Sequence, residues 1–481
     1  MRGACAARII SGLAILTVAC MPYSPVEAPR SPVPVPDLYA SGGEAPPTDA
    51  AEVSTTRWWL AFGDPQLTAL EERALGHNLG LAAAFARVEQ ARALADQAGA
   101  PLWPTLGIEA SVGRQRQRFG SFPAQQYNSF ALSAPVSYEI DLFDRYGGEA
   151  AAAGMDALSA HDDAEALAMT LSAEVAEAWY DLVHTRAQRA LLERQLETNG
   201  IFLELAQLRF QQGLASALDV FQQQQQVVAT RARLTLVDAQ QTVVRNRLSA
   251  LVAQPPGAVA GDGPEAMPEL PELPALGVPA DLVHRRPDVR AARRRVVAAD
   301  YRVGAAIADR FPSIRLRGSV GFGATTIADL FQDLIWSVVG TIAQPILDGG
   351  RRGAEIDRRH AIVDERLDQY GQALLGAMVE VDNALVQERQ QRLHITELEQ
   401  QVAIAESTLR EARNRYREGS SDFLPVLTSI VSLQSAELSL LTARRQLVSY
   451  RIQLCRALGG AWTGELSGPS QPETEDDGEP R

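Results

Sequence analysis

Few side chains in this sequence are spaced for covalent chemistry. The histidines His77, His161, His184, His284, His360 and His394 are scattered, and none forms the HExxH pair that holds zinc. Every basic side chain is arginine, which removes both a P-loop lysine and a Schiff-base lysine. Cys5, Cys20 and Cys455 show no CxxC and no spacing that supports a disulfide scaffold or a thiolate metal site. "GFGATT" at 321–326 lacks the third glycine of a dinucleotide loop, and "GSSDF" at 419–423 is no nucleophile elbow. The "QQQQQ" at 222–226 reads as a solvated helix face, and "RRRVV" at 293–297 as an exposed or inter-subunit helix face. A net charge of −14 argues against nucleic acid as the main partner, because phosphate binding needs clustered cations. No enzyme, no cofactor and no metal is expected.

Two features do carry chemistry. The first is a turn written twice: "RFQQGLASALD" at 209–219 and "RYREGSSDFLP" at 415–425 share Arg, an aromatic residue, Gly and Leu at an offset of 206 residues. Gly213 and Gly419 fit left-handed turn positions after helices. The second is Cys20. Arg2 and Arg8 precede the apolar run "IISGLAILTVA", too short to span a bilayer and suited to a signal-peptide core. "LTVAC" is similar to a bacterial lipobox, in which Cys20 becomes the lipidated first residue, although Thr17 stands where Leu is usual. The same residues also read as an ordinary secretory cleavage site. Met21, and not Asp, follows the cysteine, which suits outer-membrane sorting.

Stepping outward from these residues, the chain divides by composition. Residues 1–19 read as a signal peptide, and 20–56 as a lipid anchor with a Pro-rich, extended tether. Residues 57–254 and 281–462 are two repeats, joined by a Pro/Gly-rich linker at 255–280. Residues 463–481 form an acidic, disordered tail. Beyond the turns, "WPTLGIEASVG" from Trp103 matches "FPSIRLRGSVG" from Phe311, and "LFDR" at Leu142 matches "ILDG" at Ile346.

Each repeat gives the same order of elements. A leading helix starts at Asp64–Pro65 or Pro287–Asp288. Two alternating segments follow, around Leu106–Gly113 and Phe130–Phe143, then around Ile314–Phe322 and Trp336–Ile342. Their lengths suit membrane-crossing strands, though a half-buried soluble sheet shares the pattern. Glu109, Glu139, Asp141, Arg315 and Arg317 fall on the polar faces. A helix without proline then runs from Arg351 to Glu418, on the order of 100 Å at 1.5 Å per residue. Its apolar seam is Ile395, Leu398, Val402, Ala405, Leu409, Ala412 and Tyr416, matched by Leu192, Leu196, Asn199, Leu203, Ala206 and Phe210. A shorter helix returns to about Leu251 or Leu458, and the leading helix of the opposite repeat is a candidate to complete its length.

Four strands cannot close a barrel, and lipid forbids open sheet edges. Two chains would supply eight strands and three would supply twelve. The charged polar faces favour the roomier pore, hence a homotrimer.

With these parts assembled, the sequence resembles the outer-membrane efflux protein family, the TolC-like outer-membrane factors, and most of all its lipoprotein branch serving RND-type efflux systems. The strings that carry the resemblance are "WWLAFGDPQLTALEERALGHN" at 58–78, "DLVHRRPDVRAA" at 281–292, "FPSIRLRGSVGF" at 311–322 and the paired tips, and they cover nearly all of 57–462. The resemblance implies a mainly α fold with a β-barrel part: a homotrimeric, twelve-stranded barrel in the outer membrane of a Gram-negative bacterium, continued by a long periplasmic α-helical barrel. It implies passive conduction of drugs or other small toxic compounds, in partnership with a periplasmic adaptor and an inner-membrane RND transporter. The tip role carries over onto Arg209, Gly213, Leu214, Arg415, Gly419 and Ser420. The acidic pair that many family members carry past the second tip is replaced here by Pro425 and Thr428. Asp422 and Thr428 are then the candidates at the periplasmic gate, although Asp422 also reads as an ordinary turn carboxylate. A duct for type I protein secretion and a soluble coiled-coil scaffold without a pore are the competing functions.

Overall fold

The computed structural model describes residues 23–26, 29–41, 57–118, 120, 123–259, 263, 264, 266–270, 273, 276 and 278–466. The signal peptide, Cys20 and the acidic tail beyond 466 lie outside the described residues. The chain forms two compact units, and each draws segments from both sequence repeats. One comprises residues up to Val33, Ala86–Asp162 and Arg290–Gln372; the other comprises Pro34–Phe85, Asp163–Val289 and Ala373 onward.

The first unit holds the sheet. Its strands are β1 (Thr105–Leu106), β2 (Glu109–Gln117), β3 (Gln125–Ile140), β4 (Ser313–Ala324) and β5 (Leu334–Ala343). Both β1 and β2 pair antiparallel with β3 in one continuous register, Leu106 opposite Val136 and Glu109 opposite Ser133. The gap between them lies opposite Pro135. Gly107 donates its N–H to the Pro135 carbonyl at 3.0 Å, but proline has no N–H to return. Functionally this is a four-stranded sheet, with β3 and β4 inside and β2 and β5 as open edges.

The helices are α1 (Pro65–His77), α2 (Leu79–Gly99), α3 (Arg145–Gln211), α4 (Ala217–Leu251), α5 (Leu282–Arg285), α6 (Pro287–Ala308), α7 (Arg351–Arg417) and α8 (Leu424–Leu458). The long helices α3 and α7 each contain 67 residues, and the return helices α4 and α8 each contain 35. By length and composition α8 could cross a membrane, yet it carries Arg445 and Arg451 into the second unit's interior.

The leading segment of the first repeat is two helices and not one. Asn78 adopts an extended conformation after α1, and its carboxamide oxygen accepts from the Leu81 N–H at 3.0 Å, capping α2. The same carboxamide donates to the Leu251 carbonyl at 2.8 Å, where α4 ends. Arg286, just before α6, likewise donates to the Ala457 carbonyl near the end of α8 at 3.2 Å. Each return helix therefore meets the leading helix of its own repeat, which corrects the expectation of the opposite one. A loop carbonyl or helix C-terminus needs a donor, and the nearest chain start supplies it.

The second unit's main core gathers Trp59, Phe62, Leu67, Trp179, Tyr180, Leu248, Ile452 and Trp462. Trp59 and Trp462 meet edge-on at 4.9 Å, and Trp179 donates its indole N–H to Asp64, the cap of α1, at 2.7 Å. Two polar clusters sit beside this core. Arg451 forks onto Glu388, with both side chains almost wholly buried, and Arg445 pairs with Glu177 and Asp181. Such pairs stabilise through mutual satisfaction and not through bare Coulomb attraction.

The Pro-rich N-terminal segment is extended but docked where it is described. The Tyr23 hydroxyl and the Val26 N–H both donate to the Asp300 carboxylate, at 2.5 and 2.6 Å. Gly304 leaves room for the Tyr23 ring, and any Cβ there would approach it to 3.0 Å. Further on, Tyr39 is buried and the Ser41 N–H donates to Asp382. The acceptors that hold this extended segment, Asp300 on α6 and Asp382 on α7, are presented only by the folded helices.

Candidate functional site

The two helical tips are built alike in backbone. After α3, Gly213 takes φ 73°, the Leu214 N–H returns to the Arg209 carbonyl at 2.8 Å, and the Gly213 N–H returns to Phe210 at 2.9 Å. After α7, Gly419 takes φ 72°, with Ser420 returning to Arg415 at 3.0 Å and Gly419 to Tyr416 at 3.2 Å. Both are Schellman caps, in which a left-handed glycine lets the last carbonyls find donors.

Their side chains are not alike. Tyr416 is buried among Phe202, Ala412, Phe423, Val426 and Ile430, while its counterpart Phe210 is half exposed. The seam expectation therefore holds at Tyr416 and fails at Phe210. Arg209 lies over the Tyr416 ring at 4.2 Å and donates to the Tyr416 carbonyl at 3.0 Å, tying the first tip to the second. Burial pushes the Tyr416 phenol up, and the Arg209 charge opposes that shift. Arg415 instead stays exposed and pairs with Glu411 at 2.8 Å, one turn back. Ser216 and Asp219 make a reciprocal capping box at the start of α4. The second tip has no side-chain cap; Pro425 occupies the first turn of α8.

The gate candidates also separate. Asp422 is exposed at the turn. The Thr428 hydroxyl donates to the carbonyls of Leu424 and Pro425, at 3.0 and 3.1 Å. An open groove of about 810 Å³ is lined in part by Arg415, Ser421, Pro425 and Thr428.

Some buried polar groups were misread from sequence. Gln223, inside the glutamine run, is fully buried and donates to the Asn199 carbonyl at 2.9 Å. Asn199 in turn meets Thr230 and Gln434, and Gln195 reaches Glu437. A polar residue at a seam position was the available signal, and Asn199 gave it. Arg294, from the "RRRVV" run, pairs with Asp162 at 2.9 Å within its own unit.

In the sheet, register places Leu106, Val112, Leu132, Val136, Leu316, Val320, Trp336, Val338 and Ile342 on one face. That face is open: Leu106, Val112, Trp336, Val338 and Ile342 are each more than 70 % exposed. The opposite face is mostly Ser, Gly and Ala with the charges Glu109, Glu139, Arg315 and Arg317. Asp141 does not join them. Its carboxylate accepts the N–H groups of Arg145 and Gly147, both at 2.7 Å, and so caps α3. Glu139 bridges Arg315 and Arg145 at 2.7 and 2.6 Å. Arg352 and Asp309 pair beside it at 2.7 Å, and Phe143 stacks on Phe311 at 4.7 Å. Strand ends are thus locked to helix starts by a compact ionic joint.

Comparison with known proteins gives the same architecture a lineage. The family described as "Outer membrane efflux protein" matches residues 70–254 and 278–460. The chain is 32 % identical over 448 residues to the pyoverdine export outer membrane protein OpmQ of Pseudomonas aeruginosa, covering 89 % of this chain and 91 % of that one. It is 29 % identical to the toluene efflux pump outer membrane protein TtgF of Pseudomonas putida, with 96 % of each covered. Among solved structures, the outer-membrane channel OprN superposes with a TM-score of 0.82 at 29 % identity, over 90 % of this chain and 99 % of that one. The outer membrane protein VceC of Vibrio cholerae gives 0.80 at 27 %, over 85 % and 100 %. With both of its repeats matched, the chain belongs to the outer membrane efflux protein family.

Proposed function

We propose that this protein is the outer-membrane channel of a tripartite efflux pump, conducting small toxic compounds passively out of a Gram-negative cell as a homotrimer. The observation that carries the reading is the sheet. Inward of Val112 and Phe130 one face is an open apolar surface, with Arg114 and Arg116 beyond it at the outer end, and both edges are unpaired. In water such a face invites aggregation, and in lipid such edges leave backbone groups unsatisfied. Lipid covers the apolar face, pairing β5 of one copy with β2 of the next satisfies the edges, and three copies make a closed barrel of about twelve strands. A soluble scaffold would have no use for that face.

The tips supply the partner surface. Around the first tip Leu214, Leu218 and Phe221 are each more than 60 % exposed, while the second offers Arg415 and Ser420 on a polar turn. Arg209, Gly213, Leu214, Arg415, Gly419 and Ser420 together present a mixed surface for a periplasmic adaptor that links to an inner-membrane RND transporter. Asp422 and Thr428 lie at the mouth. The Thr428 hydroxyl is already committed to backbone carbonyls, so closure there rests on packing and on the tip-to-tip tie of Arg209. Cys20 is the lipid anchor in this reading.

The test combines three readouts. Purified protein in detergent should have the mass of three chains. It should give single-channel conductance in planar bilayers. A deletion strain should become hypersensitive to at least one dye, drug or solvent. A monomeric, non-conducting protein whose loss changes no susceptibility would overturn the reading.

A further inference from the structure

We infer that Arg317 forms the principal selectivity ring of the membrane-crossing pore, an inference that rests on the channel reading above. Of the four charged residues on the polar sheet face, two are neutralised: Glu139 is held by Arg315 and Arg145. The other two, Glu109 and Arg317, are exposed and have no ion-pair or hydrogen-bond partner among the described residues.

Arg317 is fixed in place by its strand. β4 pairs with β3 on one side and with β5 on the other, so Arg317 stands between Ser137 and Val339. It cannot be consumed by pairing between copies, which involves only the edge strands. On its outer side the neighbours on the same face are the small Ser319 and Ser337, with Ser137 and Val339 directly alongside; on its inner side Arg315 and Glu139 are already paired with each other. Its guanidinium therefore projects on a long stem beside Ser319 and Ser337, while the one side chain of equal length next to it, Arg315, is turned to Glu139.

Position along the strand separates the two free charges. Arg317 lies in the row of Ser137, close to the ionic joint at the helical end. Glu109 lies in the row of Ser133, four residues further out. At about 3.3 Å per residue that is roughly 13 Å, longer than the Debye length of about 10 Å at 0.1 M salt. In a trimer the lumen then carries a ring of three carboxylates and, nearer the periplasm, a ring of three guanidiniums, each acting largely alone. Rings of like side-chain charge bias conduction toward the opposite ion. The Arg317 ring favours small anions and anionic groups on passing solutes.

The experiment is reversal potential across a KCl gradient near 0.1 M, with purified trimers in planar bilayers. Arg317→Ser should lower the chloride-to-potassium permeability ratio by about twofold or more, and Arg317→Lys should keep it near the starting value. Glu109→Ser should move it the other way. Detergent mass reports that each variant still assembles. A conducting Arg317→Ser trimer with an unchanged ratio overturns the inference, as does an Arg317→Lys shift equal to that of Ser. Absence of conductance from the unmodified protein instead overturns the channel reading.

Discussion

Glu71 shows how much a single side chain can cost. It sits on α1 with no exposed surface, and the nearby Ser172 hydroxyl, outside good hydrogen-bond geometry, opposes the effect of burial only in part. Burial holds its carboxyl well above the usual carboxylate range. Above about pH 4.5 the unfolded chain ionises this group while the folded chain keeps it neutral, so stability falls as pH rises toward the folded pKa. Glu71→Gln removes that titration. The variant should gain thermal stability over the parent progressively as pH rises above about 4.5, measured by unfolding in detergent; a pH-independent difference would contradict this. At the tips, Gly213 and Gly419 hold φ near +70°, where a Cβ is strained but space is open. Gly419→Ala should cost about 1 kcal/mol and Gly419→Asn less, read as faster proteolytic nicking at that turn.

Among the elements, the joints between helices matter more than their interiors. Arg286 precedes α6, is almost wholly buried, and donates to Asp288, Glu380 and the Ala457 carbonyl. It closes the end of α8 onto the start of α6 with one planar fork. Arg286→Ala takes a donor from the buried Ala457 carbonyl and leaves the part-exposed Asp288 and Glu380 without their cation, and should cost about 1–3 kcal/mol. Arg286→Lys should not restore it, because an ammonium cannot reach three acceptors in one plane. Thermal unfolding of the two variants decides this. Asn78 does the equivalent work between α4 and α2, on a smaller scale: Asn78→Ala should cost about 1 kcal/mol.

At the scale of the whole molecule, the two faces of the sheet make opposite demands. Val338 is 73 % exposed on the apolar face, and Ser337 beside it points to the other. Val338→Arg places a cation in hydrocarbon and should cost about 2–4 kcal/mol per copy, lowering the trimer yield in outer-membrane fractions. Ser337→Arg should assemble normally. Equal loss from both would mean that neither face meets lipid.

Local pattern was enough for much of this. Period-2 alternation gave the strands, long runs without proline gave α3 and α7, and a recurring glycine gave both tips, because those signals depend on near neighbours in the chain. The ends of elements were less legible. Asp141 read as the last strand residue on the polar face and is a helix cap, since capping depends on where the next helix begins. The string "DLVHRRPDVRAA" was recognisable, but what Arg286 does there required Glu380 and Ala457, roughly 90 and 170 positions away. Tertiary structure alone decided which equivalent residues took different roles. Arg209 turned inward onto Tyr416 while Arg415 stayed in water, and Phe210 was exposed where Tyr416 was buried. Duplication copies the backbone signals of a turn, but burial depends on what packs against it, and the two copies pack against different neighbours.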